Sequence, residues 1–138
     1  MAAAPNCNST LTVSKIQDMD FGNYVGTTGG TITVDASGVR TATAGVILVG
    51  GGAPAAAVYT LSNTVNHCNN QWVDITLPGS ATISGPASMT INNFSSSAPS
   101  NRIKIRNTPT VTIGADLITN NSQIPGTYNG NFSVDFSY

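Results

Sequence analysis

Apolar and polar residues alternate with a period of two in Thr31-Ile32-Thr33-Val34, Trp72-Val73-Asp74-Ile75-Thr76-Leu77, Met89-Thr90-Ile91 and Arg102-Ile103-Lys104-Ile105-Arg106. Successive side chains of an extended chain point to opposite faces, so this pattern, rich in β-branched residues, predicts strands with one face on a core and the other in water. Between the strands stand Gly29-Gly30, Ser37-Gly38, Gly50-Gly51-Gly52, Pro78-Gly79, Gly85-Pro86 and Pro125-Gly126, residues that stop or turn a chain. Strand and turn alternate about every ten residues, which predicts an all-β sandwich in preference to a βα architecture. Gly45-Val46-Ile47-Leu48-Val49 and Ala55-Ala56-Ala57-Val58-Tyr59 are apolar on both faces and read as fully buried central strands. Ser95 to Ser100 reads as a polar connector.

The C-terminal stretch carries the strongest pattern. Tyr128, Gly130, Phe132, Val134, Phe136 and Tyr138 fall on one face, and Asn129, Asn131, Ser133, Asp135 and Ser137 on the other. A strand amphipathic to its last residue leaves no later strand to cover its backbone edge. Either another segment pairs with it, or it is the ordinary last strand of a complete sandwich.

Length and composition narrow the picture. With 138 residues the chain is the size of one domain, and we take residues 1–9 as an N-terminal segment and 10–138 as a single β-sandwich domain. Five Lys or Arg and six Asp are the charged residues, Glu is absent, and the formal net charge is −1. No basic run exists to neutralise phosphates, so nucleic acid is not an expected partner. No stretch of about 18 apolar residues occurs, so no membrane-spanning helix is expected. Met1-Ala2-Ala3-Ala4 reads as an initiator joined to the mature end of an exported protein. Cys7 and Cys68 are the two cysteines, far from the short paired spacings of zinc sites. They pair as one disulfide in an oxidising compartment, or else remain as two buried thiols.

Candidate chemistry is sparse. His67 beside Cys68 suggests a thiol and imidazole pair, yet neighbours on an extended strand point apart and a disulfide would consume the thiol. Asp18 and Asp20, with Asp35 or Asp116, supply oxygen ligands for Ca²⁺ in principle, without the spacing of an EF-hand; turn-forming roles are the plainer reading. No catalytic residue, metal or cofactor is expected. Arg102, Lys104 and Arg106 share one strand face, a cationic stripe suited either to protecting a sheet edge or to holding an anionic glycan or a neighbouring subunit. Trp72, with Tyr59 or Tyr24, offers a sugar-stacking platform, although a single Trp in an alternating strand reads first as core.

Asp18-Met19-Asp20-Phe21-Gly22, Gly30-Thr31-Ile32-Thr33-Val34, Ser37-Gly38-Val39-Arg40-Thr41-Ala42, Gly45-Val46 and Pro125-Gly126-Thr127-Tyr128, in that order, resemble a family of uncharacterised exported bacterial β-domains. That family is similar in turn to the spore-coat-U-like pilins of archaic chaperone-usher pili. The resemblance implies an immunoglobulin-like β-sandwich lacking its last strand, completed first by a periplasmic chaperone at the outer-membrane usher and then by the N-terminal extension of the next subunit. Phe132, Val134, Phe136 and Tyr138, with Tyr128, would line the groove, and Cys7 and Cys68 match the cysteine positions of archaic pilins. A donor segment carries alternating bulky apolar residues, whereas Met1 to Ser9 offer only Met1, three alanines and a proline. The donor is therefore expected outside this sequence or at Leu11, Val13 and their neighbours, the third alternative being a subunit that does not polymerise in this way. The implied function is a surface pilus subunit serving adhesion or biofilm formation, exported through the periplasm. The alternative is a self-contained carbohydrate-binding or surface-adhesion sandwich module that meets a host or surface glycan.

Overall fold

The β-branched alternating segments form strands wherever one face has a core to meet. In the computed structural model, which describes residues 7–26, 28–43, 45–50, 54–119 and 129–138, they build an all-β sandwich with a curled main sheet. After a helical turn at Cys7–Thr10 come β1 (Leu11–Gln17), β2 (Tyr24–Gly26), β3 (Gly30–Val34), β4 (Arg40–Ala42), β5 (Val46–Leu48), β6 (Ala57–Asn63), β7 (Trp72–Thr76), β8 (Ser80–Ser84), β9 (Ser88–Ser96), β10 (Arg102–Lys104), β11 (Thr110–Thr119), β12 (Asn129–Gly130) and β13 (Asp135–Ser137). No helix among the described residues is long and apolar enough to cross a membrane.

The main sheet runs β1-β6-β11-β9-β8-β12, with β3 and then β4 added beside β11. Its spine is β11, the longest strand, whose odd residues Val111, Ile113, Ala115 and Leu117 are buried. One flank of β11 pairs with β9; the other pairs with β6 over Thr110–Ile113 and with β3 over Ala115–Thr119. Gly114 marks the change of partner. A Cβ there would stand 2.7 Å from the Ala36 nitrogen and closer still to the Val34 oxygen and the Asp35 carbonyl carbon, so only glycine lets the end of β3 approach. Opposite, β9 takes an extra residue at Asn93, which adopts a positive φ of 52°.

Two smaller sheets cover the inner face. The β10-β7-β13 sheet lies over a cluster that includes Leu61, Val73, Ile75, Ile105, Val111 and Ile113. The β2-β5 ribbon lies over a second cluster, with Ile32, Val46, Ile83, Met89, Ile91 and Leu117. Met19 and Phe94 touch both. Arg40 clamps the ribbon in place, donating to the carbonyls of Phe21, Asn23 and Val49 at 3.0, 2.8 and 3.2 Å.

Several expectations change. Gly45 to Val49 is not a buried central strand: Val46 is buried, but Ile47 is 56% exposed and Leu48 and Val49 are also exposed, because a two-stranded ribbon has a second layer on one face only. The other apolar run does enter the centre, with β6 between β1 and β11 and Ala56 and Ala57 buried. Ser95 and Ser96 are not loop but the end of β9. The cationic stripe is shorter than its alternation suggested: β10 ends at Lys104, and Arg106 lies exposed ahead of Asn107 and Thr108, whose positive φ values turn the chain away. The C-terminal alternation is divided between two sheets, β12 pairing with β8 and β13 with β7. Tyr128, Pro125 and Gly126 lie outside the described residues, as do Met1 to Asn6.

Candidate strand-pairing groove

Antiparallel partners directly opposite one another project to the same side of a sheet. The register of β1 with β6 sets Leu11 against Asn63, Val13 against Leu61 and Lys15 against Tyr59. Leu61 and Asn63 are buried and Tyr59 packs on the first core cluster, so Leu11, Val13 and Lys15 belong to the inward face. Yet Val13 is 39% exposed, although its neighbour Leu61 is completely buried. No described residue fully covers this inward valine. Leu11 and Val13, considered above as possible donor residues, are paired within their own domain as β1. After Lys15 the strand bulges, and Ile16 at the irregularity is 62% exposed.

The other wall is the C-terminal segment. Phe132, Val134, Phe136 and Tyr138 face inward onto the first cluster while Asn131, Ser133, Asp135 and Ser137 face solvent, as the alternation predicted. All four inward side chains are only half-buried. Phe136 meets Tyr59 with ring centroids 5.7 Å apart, and Phe132 meets Phe94 at 5.0 Å, both in tilted geometry. Burial also pushes the Tyr59 phenol above its ordinary pKa, against the opposing pull of Lys15.

One end of this region is tied together by polar contacts. Cys7 and Cys68 form a disulfide with Cα atoms 5.6 Å apart, and both residues are completely buried. The buried Asn63 amide donates to the Cys7 carbonyl at 3.0 Å and to the Tyr138 hydroxyl at 3.1 Å, while its oxygen accepts from Thr10 and from the Val65 N–H at 2.9 Å each. The Tyr138 hydroxyl donates to the Cys68 carbonyl at 3.0 Å. β1 starts at this end and β13 finishes here, so the two strands run in opposite directions along the two walls. Among the described residues, β1 pairs only with β6 and β13 only with β7, leaving one edge of each without a hydrogen-bonded strand.

Of these residues, the sequence pattern pointed to the C-terminal apolar face and to both cysteines. It offered Tyr59 only as a stacking partner of Trp72 and as part of a buried strand, and it did not single out Asn63. The signal for Asn63 was present in the alternation Ala57, Tyr59, Leu61, Asn63, which puts an amide at an inward position where it must find partners.

The remaining candidates lie elsewhere. Trp72 is not core: it is 50% exposed on the outer face of β7, away from Tyr59 and from Tyr24, whose hydroxyl donates to the Met89 sulfur. Arg102 and Lys104 approach the indole, and Arg102 pairs with Asp74 at 2.8 Å. The aspartates do not converge. Asp18 pairs with Lys15, raising the lysine pKa; Asp20 accepts from the Gly22 N–H, Asp35 from the N–H groups of Ser37 and Val39, and Asp116 from Thr33 and Asn93. His67 lies near the two sulfurs, within a group whose ligand atoms all lie within 4.8 Å of one another, but both sulfurs are committed to the disulfide.

Residues 11–138 match a family described as a domain of unknown function, DUF4402. No curated protein and no solved structure matches the chain significantly.

Proposed function

The chain belongs to the DUF4402 family, and we propose that it is a structural subunit of a bacterial surface pilus, assembled by donor-strand complementation and serving adhesion or biofilm formation. One observation carries this reading: among the described residues, β1 and β13 each keep an edge without a paired strand, and these edges border inward apolar side chains, Val13 and the Phe132 to Tyr138 set, that are buried only in part. A strand laid between them would satisfy two rows of backbone N–H and C=O groups and seat alternate apolar side chains on the exposed core. Its source would be the N-terminal extension of another subunit, after a periplasmic chaperone has held the site during transit to the outer-membrane usher. Repeated head to tail, such a contact does not close on itself and gives a fibre.

The resemblance to spore-coat-U-like pilins supports the same reading, and the buried disulfide fits passage through an oxidising periplasm. The test is to refold the natural full-length product without chaperone and examine it by size-exclusion chromatography and negative-stain electron microscopy. Thin fibres, or a ladder resistant to sodium dodecyl sulfate, support the proposal, with Phe136→Asp abolishing them because it places a carboxylate on the groove wall. A stable, monodisperse monomer overturns it, and so do fibres that Phe136→Asp leaves intact.

A further inference from the structure

β7 turns Val73 and Ile75 into the core, which puts Trp72, Asp74 and Thr76 on the outer face of the β10-β7-β13 sheet. A tryptophan half in solvent leaves much of a large apolar surface uncovered, which is more informative than an exposed small residue. The register of β10 with β7 sets Lys104 opposite Trp72 and Arg102 opposite Asp74. Both cations close on the indole, with the Arg102 Cζ 5.2 Å and the Lys104 Nζ 5.8 Å from the ring centroid.

The charges on this face are only partly neutralised, since Arg102 pairs with Asp74 and Lys104 meets the indole alone. Of the five basic residues, Arg40 serves three backbone carbonyls and Lys15 is paired with Asp18. The other three, Arg102, Lys104 and Arg106, occupy one short segment of a chain whose net charge is −1. Asp74 engages Arg102 only through Nε, and among the described residues Lys104 has no carboxylate partner. Lys104, Arg102 and the nearby Arg106 thus gather beside the one tryptophan of the protein, with Asp74 against Arg102 and Asp135 farther along the same face.

We infer that this outer face, centred on Trp72 with Arg102 and Lys104, binds an acidic saccharide of the hexuronate class. The part of the half-exposed indole that Arg102 and Lys104 leave uncovered suits the C–H surface of a pyranose ring, which is apolar and carries partial positive charge. A guanidinium and an ammonium beside it supply charge-assisted hydrogen bonds to a ring carboxylate, which a neutral sugar does not provide. An exposed sheet face accepts an extended polymer where a closed pocket would accept only its end. The site is on the side of β7 opposite the groove, so it does not depend on strand complementation.

The single tryptophan makes the test direct. The full chain is titrated with tetragalacturonate while Trp72 emission is followed. A saturable emission change is expected, weaker by about tenfold or more with neutral maltotetraose in place of the uronate. A comparable loss is expected for Arg102→Gln or Lys104→Gln, and on raising the salt to about 0.5 M. Both side chains are exposed, so far-UV circular dichroism should be unchanged, and calorimetry of Trp72→Ala should show binding lost. No saturable change up to about 10 mM uronate overturns the inference. Equal binding of the neutral tetramer, binding that survives both charge substitutions, or an emission shift that follows subunit assembly alone would overturn it as well.

Discussion

Reducing the Cys7–Cys68 bond should remove a large part of the stability of this domain. The cysteines are 61 residues apart, and releasing a loop of that length restores enough freedom to the unfolded chain to cost about 4 kcal/mol. A domain of this size has a stability of about 5–15 kcal/mol, so the loss is a substantial fraction of the whole. The folded state offers little relief. If the turn at Cys7–Thr10 frays after reduction, the buried Asn63 amide loses both the Cys7 carbonyl and the Thr10 hydroxyl, and unmatched buried polar groups cost about 1–3 kcal/mol. Urea denaturation followed by far-UV circular dichroism, with and without reductant and on the Cys7→Ser, Cys68→Ser double variant, measures the effect. With a slope of about 2 kcal/mol per molar urea, the midpoint should fall by about 2 M. A shift below about 0.5 M would refute the reasoning, because the cross-link would then neither constrain the unfolded chain nor hold the closed end of the groove.

Gly114→Ala should cost about 3 kcal/mol or prevent folding, since the added methyl collides with the backbone that links β3 to the following turn; Gly79→Ala, where a Cβ meets nothing within 4 Å, should be neutral or slightly stabilising. Thermal denaturation of the two variants checks both. Tyr59 adds a pH dependence. Its raised pKa means that the fold favours the protonated phenol, so its contribution is fully present below the ordinary tyrosine value of about 10 and is lost as pH rises through the higher folded value. Lys15, also raised, is lost in the same direction. Tyr59→Phe should therefore lose stability less steeply than the wild type between about pH 10 and 12, as read from urea midpoints; parallel curves would count against it.

Strand positions were legible wherever alternation met a core, as in β3, β7 and β9, because period two is a local property of the chain. Alternation also contained the fate of Trp72. Its parity with Asp74, opposite to Val73 and Ile75, set it on the outer face, and weighting residue type over parity pointed the wrong way. Val46 to Val49 shows the converse limit. An apolar run does not distinguish a strand covered on both faces from a ribbon covered on one, since the difference is made by a layer that comes from elsewhere in the chain. The groove was half legible. The apolar face of Phe132, Val134, Phe136 and Tyr138 followed from spacing, whereas the roles of Val13, Tyr59 and Asn63 depend on the β1 and β6 register, which local pattern does not reveal. The division of the C-terminal segment between β8 and β7 is likewise a tertiary choice.

The most direct test of the account is amide hydrogen exchange on the free protein and on its assembled form. If another chain adds a strand between the two walls, the amides on the edges of β1 and β13 that pair with no described strand should exchange orders of magnitude more slowly in the assembly, while those of β11, already paired on both flanks, change little. Assemblies whose β1 and β13 edges exchange as fast as in the free protein would contradict strand complementation.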